Sequence, residues 1–499
     1  MPVGVTSQAI EVAAAPSSTG LVENVFCAGY CDWGPVGAAI PVTSVANFAA
    51  QCGTPTGSSN VSAARSSTCA TVYDTADAFF GETGLATPTL YVSRIVGSNA
   101  AAATLTLKDS TGAQALSLQA QYVGEGGNAI YVAVSNTGTA CVVTLYDGAG
   151  NILAQSPSLS SNAAIAAWLA TTGYITATVG SGGLPATLIA TALSGGTSDI
   201  ADASASLSTS LAAALAAFTA NLGAGQVIAP GISGPAVMPL LGAHAAAYNR
   251  VWIADLPDGL TVNEASAGLG GISTSQVATR GGVWAGNRSL PGVTANTTRS
   301  VPPSGIIAAL CARADFAANP GVAAAGLTYP LDYATQPASY VSGAPNDTYS
   351  MADLNALNAL GVNTFQRVNN TPCNYGFVTP VPSNVDPVYW QLNHARLRMY
   401  ILAAATQIGQ TYVFQQNTTA VRQAFKSAII GQLLSPLWSG NALYGATQDQ
   451  AFTVDVGPTI NTPAVIAAGE LNMLITASFT PFVQSVQILV AVSPINTAS

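Results

Sequence analysis

The chain has 499 residues, 49% of them hydrophobic and only 7% charged, against about a quarter charged in an ordinary globular protein. Its 13 basic and 22 acidic residues give a net charge of −9, which argues against a general nucleic-acid binder, because such a protein needs a basic footprint. Lysine is nearly absent, with Lys108 and Lys426 alone; the surface must be mostly neutral, which protects a free monomer poorly and suits a subunit covered by its own copies.

Residues 1–20 are small, polar and unpatterned, and read as an N-terminal arm. Leu21–Tyr30 reads as a strand leading into the turn Asp32–Pro35. Val42–Cys52 fits a short helix capped by Thr43 or Ser44, Thr75–Phe80 a second helix, and Leu90–Val96 a buried strand. The character changes over 101–196. Alternating runs at Ala103–Leu107, Ala129–Ser135 and Cys141–Tyr146 are separated by turn signals such as Asp147–Gly150, with a short helix at Ile165–Leu169. This is an inserted β-rich domain, expected on the outer surface because an insertion is easily accommodated at an exposed loop. The α/β alternation then resumes: helix Leu211–Phe218, strand Gln226–Ala229, helix Pro235–Tyr248, strand Arg250–Asp255. Strand–helix–strand at this spacing implies a right-handed parallel crossover. The reading is a discontinuous α/β core over 21–100 plus 197–350, loop-rich from Gly259 to about Pro345. A C-terminal assembly domain over 351–483 holds two clear helices and then short strands, and a C-terminal arm covers 484–499.

Several function classes find little support. The stretch Ala201–Tyr248 carries one charge, Asp202, but Gly, Pro, Ser, Thr and Asn break it too often for a membrane span, so no direct membrane insertion is expected. Met1–Pro16 lacks a basic segment followed by an apolar one, and the expectation is folding in a cytoplasm. The two histidines, His244 and His394, read as packed helix residues, and no nucleophile elbow, zinc-protease, phosphate-loop or dinucleotide motif stands after a strand. No catalytic residue, cofactor or metal is assigned. The seven cysteines are Cys27, Cys31, Cys52, Cys69, Cys141, Cys311 and Cys373, and Cys27–Cys31 lacks metal-site spacing. Cys52 and Cys69 flank a Gly/Ser/Asn/Thr-rich stretch and form the candidate disulfide, worth about 3 kcal/mol through unfolded-state entropy. The odd count leaves at least one thiol free or bonded to another chain.

An ordered set of short motifs carries a resemblance. It comprises Trp33-Gly-Pro35, Pro41-Val-Thr-Ser44, Phe79-Phe80 before a glycine, Val301-Pro-Pro-Ser-Gly305 followed by Ala312-Arg-Ala-Asp315, and Leu357-Asn-Ala-Leu-Gly-Val-Asn363. Tyr412-Val-Phe-Gln-Gln-Asn417, Leu437–Gly445, Ala451–Val454 and Asn461-Thr462 with Ala468-Gly469 follow. In this order they resemble the phage-type contractile tail sheath proteins over about residues 20–495, with the insert least matched. The chain departs from the family pattern at Tyr375–Pro380 and in the charged residues after the Asp315 box.

The resemblance implies an α/β fold of subtilisin-like, discontinuous topology with the inserted β-rich domain and an α+β C-terminal domain. It implies a structural, non-enzymatic subunit that forms hexameric rings stacked as a helical sheath. Its partners would be a tail tube protein and baseplate and tail-terminator proteins, and its contraction would drive the tube through a host envelope. The place implied is the tail of a virion, assembled in a host cytoplasm; a bacterial contractile injection particle is as compatible. Two other classes stay open: a secreted or surface β-rich lattice protein, and a hydrolase on a subtilisin-like scaffold.

Two sets of residues are candidates for assembly. The β-prone segment Gln484–Val492, with Val486, Ile488 and Val490 on one face, and the N-terminal arm are expected to add strands to neighbouring subunits. Val388–Trp438 holds Arg396, Arg398, Arg422 and Lys426 and no acidic residue. Val421, Phe425, Ile429 and Leu433 form a buried stripe at helical spacing, and Arg422 and Lys426 lie side by side on an adjacent face. Arg422 and Lys426 are the first candidates for touching an acidic strip on the tube. Arg396 and Arg398, about 200° apart on a helix, could contribute one more contact. The plain alternative is a solvated face, or pairing with Asp449, Asp455 or Glu470.

Overall fold

A computed structural model describes residues 22–53, 70–272, 276–291, 298–333, 336–337, 349–381 and 387–484. The N-terminal arm, the C-terminal arm from residue 485 onward with Val486, Ile488 and Val490, and Cys69 lie outside the described residues.

The first expected strand forms over Val25–Gly29 (β1), and all of its residues are buried. A strand apolar on both faces belongs inside a parallel sheet, and β1 is parallel to both its neighbours, Leu90–Arg94 (β3) and Gly225–Ile228 (β4). The sheet has eight strands in the order β8-β7-β6-β5-β4-β1-β3-β2, adding Ile40–Val42 (β2), Arg250–Asp255 (β5), Gly281–Trp284 (β6), Val362–Val368 (β7) and Thr371–Tyr375 (β8). Only its edge strands β2 and β8 run antiparallel to their neighbours. Trp252 of β5 sits opposite Gly281 of β6. A side chain at Gly281 would run into that indole, its Cβ 2.0 Å from the ring, so the glycine lets the largest core side chain lie across its neighbour.

Helices cover the sheet. Val45–Cys52 (α1) is capped by Ser44, whose hydroxyl accepts from the Asn47 amide. Ala70–Glu82 (α2) and Val237–Ala247 (α3) follow, with α3 crossing between the parallel strands β4 and β5. Pro303–Ala317 (α4) corrects the sequence reading, which placed loops there. It lies between α2 and β5 and is buried nearly all round. A helix buried on every side has no polar face and so no amphipathic period to detect.

The segment after β3 builds two small sheets of its own. Ala102–Lys108, Gln114–Val123 and Ile175–Val179 form one; Tyr131–Asn136, Cys141–Tyr146, Ile152–Gln155 and Leu188–Ala192 form the other. With the helix Asn162–Thr172 they enclose a separate apolar cluster that includes Leu118, Val132, Val143, Ile165 and Leu169. Trp33 joins this cluster from the α/β side, its ring edge-on to Tyr122 at 5.1 Å. The two ends of the segment meet where Ala101 bridges Thr197. Buried Arg94 joins the units, donating to the carbonyls of Cys31, Gly34 and Val123.

The α/β sheet also extends further along the chain than the reading drew it. Val362 and Asn363 pair in parallel with Val283 and Trp284, so 362–375, placed with the C-terminal unit, complete the sheet. Beyond them, Leu392–Gln410 (α5) and Thr419–Ile429 (α6) form the two expected helices, the latter continuing through a π-helical turn at Ile430–Leu434. Phe452–Asp455 (β9) and Leu474–Ala477 (β10) make an antiparallel ribbon. Leu397, Met399, Ile408, Leu433 and Val454 belong to the same apolar cluster as the sheet.

Candidate assembly interface

The short motifs acquire physical roles once folded. In the Val301–Gly305 box, Pro302 caps α4 and Pro303 opens it, where a missing amide hydrogen costs nothing. Ser304 donates its amide and its hydroxyl to the carboxylate of Asp255 at the end of β5, each at 2.7 Å, and the Gly231 amide adds a third bond at 3.0 Å. Burial lifts the Asp255 carboxyl to about 6, against the pull of these donors. In the 357–363 box, Asn363 joins three segments: its amide donates to Val283 and Val378, and its carbonyl accepts from the Val378 amide. Gly361 has φ +76°, and a Cβ there would lie 2.4 Å from the Thr379 oxygen.

The four basic candidates separate. Arg396 is fully buried, with Nη2 2.7 Å from both oxygens of an equally buried Asp315. It is a strut between α5 and α4, so it has no surface to offer a partner. Burial raises the Asp315 carboxyl to about 6 despite Arg396. Arg398 is half-buried, its Nε without a hydrogen-bond partner, and burial followed by the nearby Arg280 lowers its pKa. Arg422 and Lys426 remain half-exposed on α6. Arg422 donates to Asn417 and to the Thr419 hydroxyl. Among the described residues neither Arg422 nor Lys426 is in an ion pair. Of the expected stripe, Ile429 and Leu433 are buried, and Val421 and Phe425 partly so.

The sequence reading gave Asp315 and Ser304 only as motif letters; the ion pair and the helix-cap bond needed the fold. Both histidines are engaged in hydrogen bonds. Burial, then Arg250, push His244 down to about 4, so its neutral Nε2 accepts from Arg250 at 2.6 Å. The two ring nitrogens of His394 approach the carbonyls of Val388 and Thr480. Cys52 is a free, buried thiol.

The ribbon β9–β10 has two strands among the described residues. Leu474 is half-exposed on it. Next to the ribbon a cleft of ≈ 730 Å³ is lined by Trp438, Leu443, Tyr444, Ser478 and Thr480 among others. Exposed Tyr444 at its rim, and Val413 and Phe414 on the α5–α6 loop, are large apolar side chains in water. Phe414 also holds φ +68°, a conformation that costs a bulky residue free energy.

No protein-family model and no curated protein matches the sequence. The fold has solved counterparts. The sheath tail protein of Desulfitobacterium hafniense has a TM-score of 0.59 at 15% identity, over 91% of this chain and 93% of that one. The sheath tail protein of Listeria innocua gives 0.59 at 14% identity, over 93% and 96%. The sheath complex of the PVC extracellular contractile injection system, in its contracted state, gives 0.57 at 12% identity, over 99% and 98%. This chain therefore has the mixed α/β fold of contractile sheath proteins, with the sheets and helices described above.

Proposed function

We propose that the chain is the structural subunit of a contractile sheath, polymerising around a tube and contracting to drive it through an envelope. The observation that carries the reading is the extent of the fold likeness: sheath proteins match nearly the whole of this chain with nearly the whole of their own. A shared catalytic scaffold would leave the insert and the C-terminal helices unmatched. The finer parts of the reading are a subtilisin-like order of the parallel strands, hexameric rings, assembly in a host cytoplasm and no enzymatic step. The reading divides the chain into the α/β core, an outer insert and a C-terminal tube-facing unit.

Within it, the C-terminal unit makes the assembly contacts. Among the described residues the β9–β10 ribbon has two strands, and an edge of it suits strand addition by the arm segment holding Val486, Ile488 and Val490, since unpaired backbone groups at a sheet edge accept a strand from another chain. Arg422 and Lys426 would meet carboxylates on the tube. Like charges four apart destabilise a helix slightly, and an acidic partner reverses the sign.

The test is electron microscopy of the purified full chain in negative stain. Wide helical tubes, or sheaths when a tube protein is co-expressed, are expected. A chain that stays monomeric in both conditions overturns the reading.

A further inference from the structure

Toward its C-terminal end the chain leaves the core within one residue. Phe482 packs against the main apolar cluster, whereas Val483 is 78% exposed. Side chains at the start of α5 hold this exit. Gln391 is buried at the N-cap position of α5, yet it makes no side-chain cap bond. Its amide faces Phe482 instead: Oε1 accepts from the Phe482 backbone amide at 2.9 Å, and Nε2 donates to the Phe482 carbonyl at 3.3 Å. The Thr480 carbonyl meets His394 Nε2 at 3.2 Å and, at 3.5 Å, the Asn393 side-chain amide. Phe479 packs its ring against that of His394, with centroids 5.6 Å apart. Between the held residues stands Pro481, whose ring fixes its own φ. A backbone held at 480 and at both polar groups of 482, with a proline between, keeps little freedom in the direction it takes at Val483.

The anchorage runs back into the sheet through a second bond of the same kind. Asn363 of β7 binds both backbone groups of Val378 with its side-chain amide, and Val378 forms an antiparallel bridge with Gln391. Two side-chain amides in series therefore tie Phe482 to β7. The segment that follows β10 offers less. Thr480 donates to the Ala442 carbonyl at 3.0 Å, but among the described residues Phe482 hydrogen-bonds to Gln391 alone.

We propose that Gln391 is the positioning residue for the C-terminal arm. Its amide fixes the point and the direction from which the chain beyond Gln484 departs, and it carries a pull on that arm into the α/β sheet. The use of the arm in assembly rests on the sheath reading; the anchorage at Phe482 does not. A strand given to another copy must reach a fixed edge, and a root held in one direction keeps the strand's effective concentration there higher than a root free to swing.

Gln391→Met keeps the length of the side chain and removes both bonds. Hydrogen–deuterium exchange of the full chain, localised by electron-transfer fragmentation, should find the Phe482 amide protected in the parent. In the variant it should exchange about tenfold faster, the ratio for one lost hydrogen bond. Amides of β7 and of the β9–β10 ribbon should keep their rates, which separates loss of the anchor from loss of the fold. In negative stain the variant should need about tenfold more protein than the parent to form tubes, and a chain ending at Gln484 should form none. An unprotected Phe482 amide in the parent, or an unchanged rate in the variant, overturns the anchor. Faster exchange with tubes forming as in the parent overturns the positioning role. Absence of parent tubes, or tubes unaffected by the truncation, overturns the arm reading and the positioning role with it, while the exchange rate at Phe482 still decides the anchor.

Discussion

Replacing Arg396 with leucine leaves the carboxylate of Asp315 buried without its arginine. Both side chains are fully excluded from solvent. One guanidinium nitrogen, Nη2, makes both carboxylate contacts and also donates to the Cys311 carbonyl at 3.2 Å, whereas Nε and Nη1 have no partner. Breaking such a pair from one side costs about 3–5 kcal/mol, because the remaining charge is desolvated and uncompensated. The Asp315 carboxyl, already lifted to about 6 by burial, would rise further and be forced to take a proton at neutral pH. The pair is nevertheless imperfect, with two orphan donors. The double replacement Asp315→Leu with Arg396→Met removes both charges and both orphans while filling similar volume, and should return to within about 1 kcal/mol of the parent. Urea unfolding at pH 7.5, followed by fluorescence of the buried Trp252 and Trp284 of the α/β sheet, measures both variants. A single variant costing under about 1 kcal/mol, or a double variant as unstable as the single, refutes this account of the strut.

Asp255 makes stability pH-dependent. Its folded pKa, about 6, lies above its unfolded value near 3.8, so its contribution is fully present below the unfolded value and is lost as pH rises through 6. About 2–3 kcal/mol should disappear between pH 4 and 7, and Asp255→Asn should flatten that part of a pH series of urea midpoints. Gly361→Ala should cost about 1–3 kcal/mol and lower the soluble yield, since the residue must hold φ +76° with its Cβ against Thr379 and Pro380; an unchanged urea midpoint would contradict this. Changing Arg422 and Lys426 together to glutamate should leave free polymers intact in electron micrographs and abolish assembly on the tube. Survival of tube assembly would remove this face as the contact. Replacing 102–196 with a short Gly-Ser linker should leave the α/β sheet folded by circular dichroism, because Arg94 keeps the Cys31 and Gly34 carbonyls and loses only Val123; loss of the native spectrum would show that the insert is integral to the core.

What the sequence determined by itself is local. Uninterrupted apolar runs such as Val25–Gly29 and Val251–Ala254 have few alternatives to a buried parallel strand. The alternation at Cys141–Tyr146 marks a half-buried strand for the same kind of reason, and Ser44 before an apolar run marks a helix start. The ordered motifs pointed to the sheath fold because each is a local cluster fixed by one packing demand: a helix entry at Pro302–Ser304, a left-handed turn at Gly361. Tertiary structure alone decided what carries no local period. Helix α4 is buried on nearly every face, with no separate polar face, and so resembles a loop-rich, small-residue passage until α2 and β5 enclose it. Arg396, read as a surface cation because its own segment holds no acid, finds Asp315 across 81 residues of chain. The Trp33 amide meets the Cys52 carbonyl because the turn after β1 folds back on α1. In each case the deciding partner is distant in the chain, and spacing along a sequence holds no information about it.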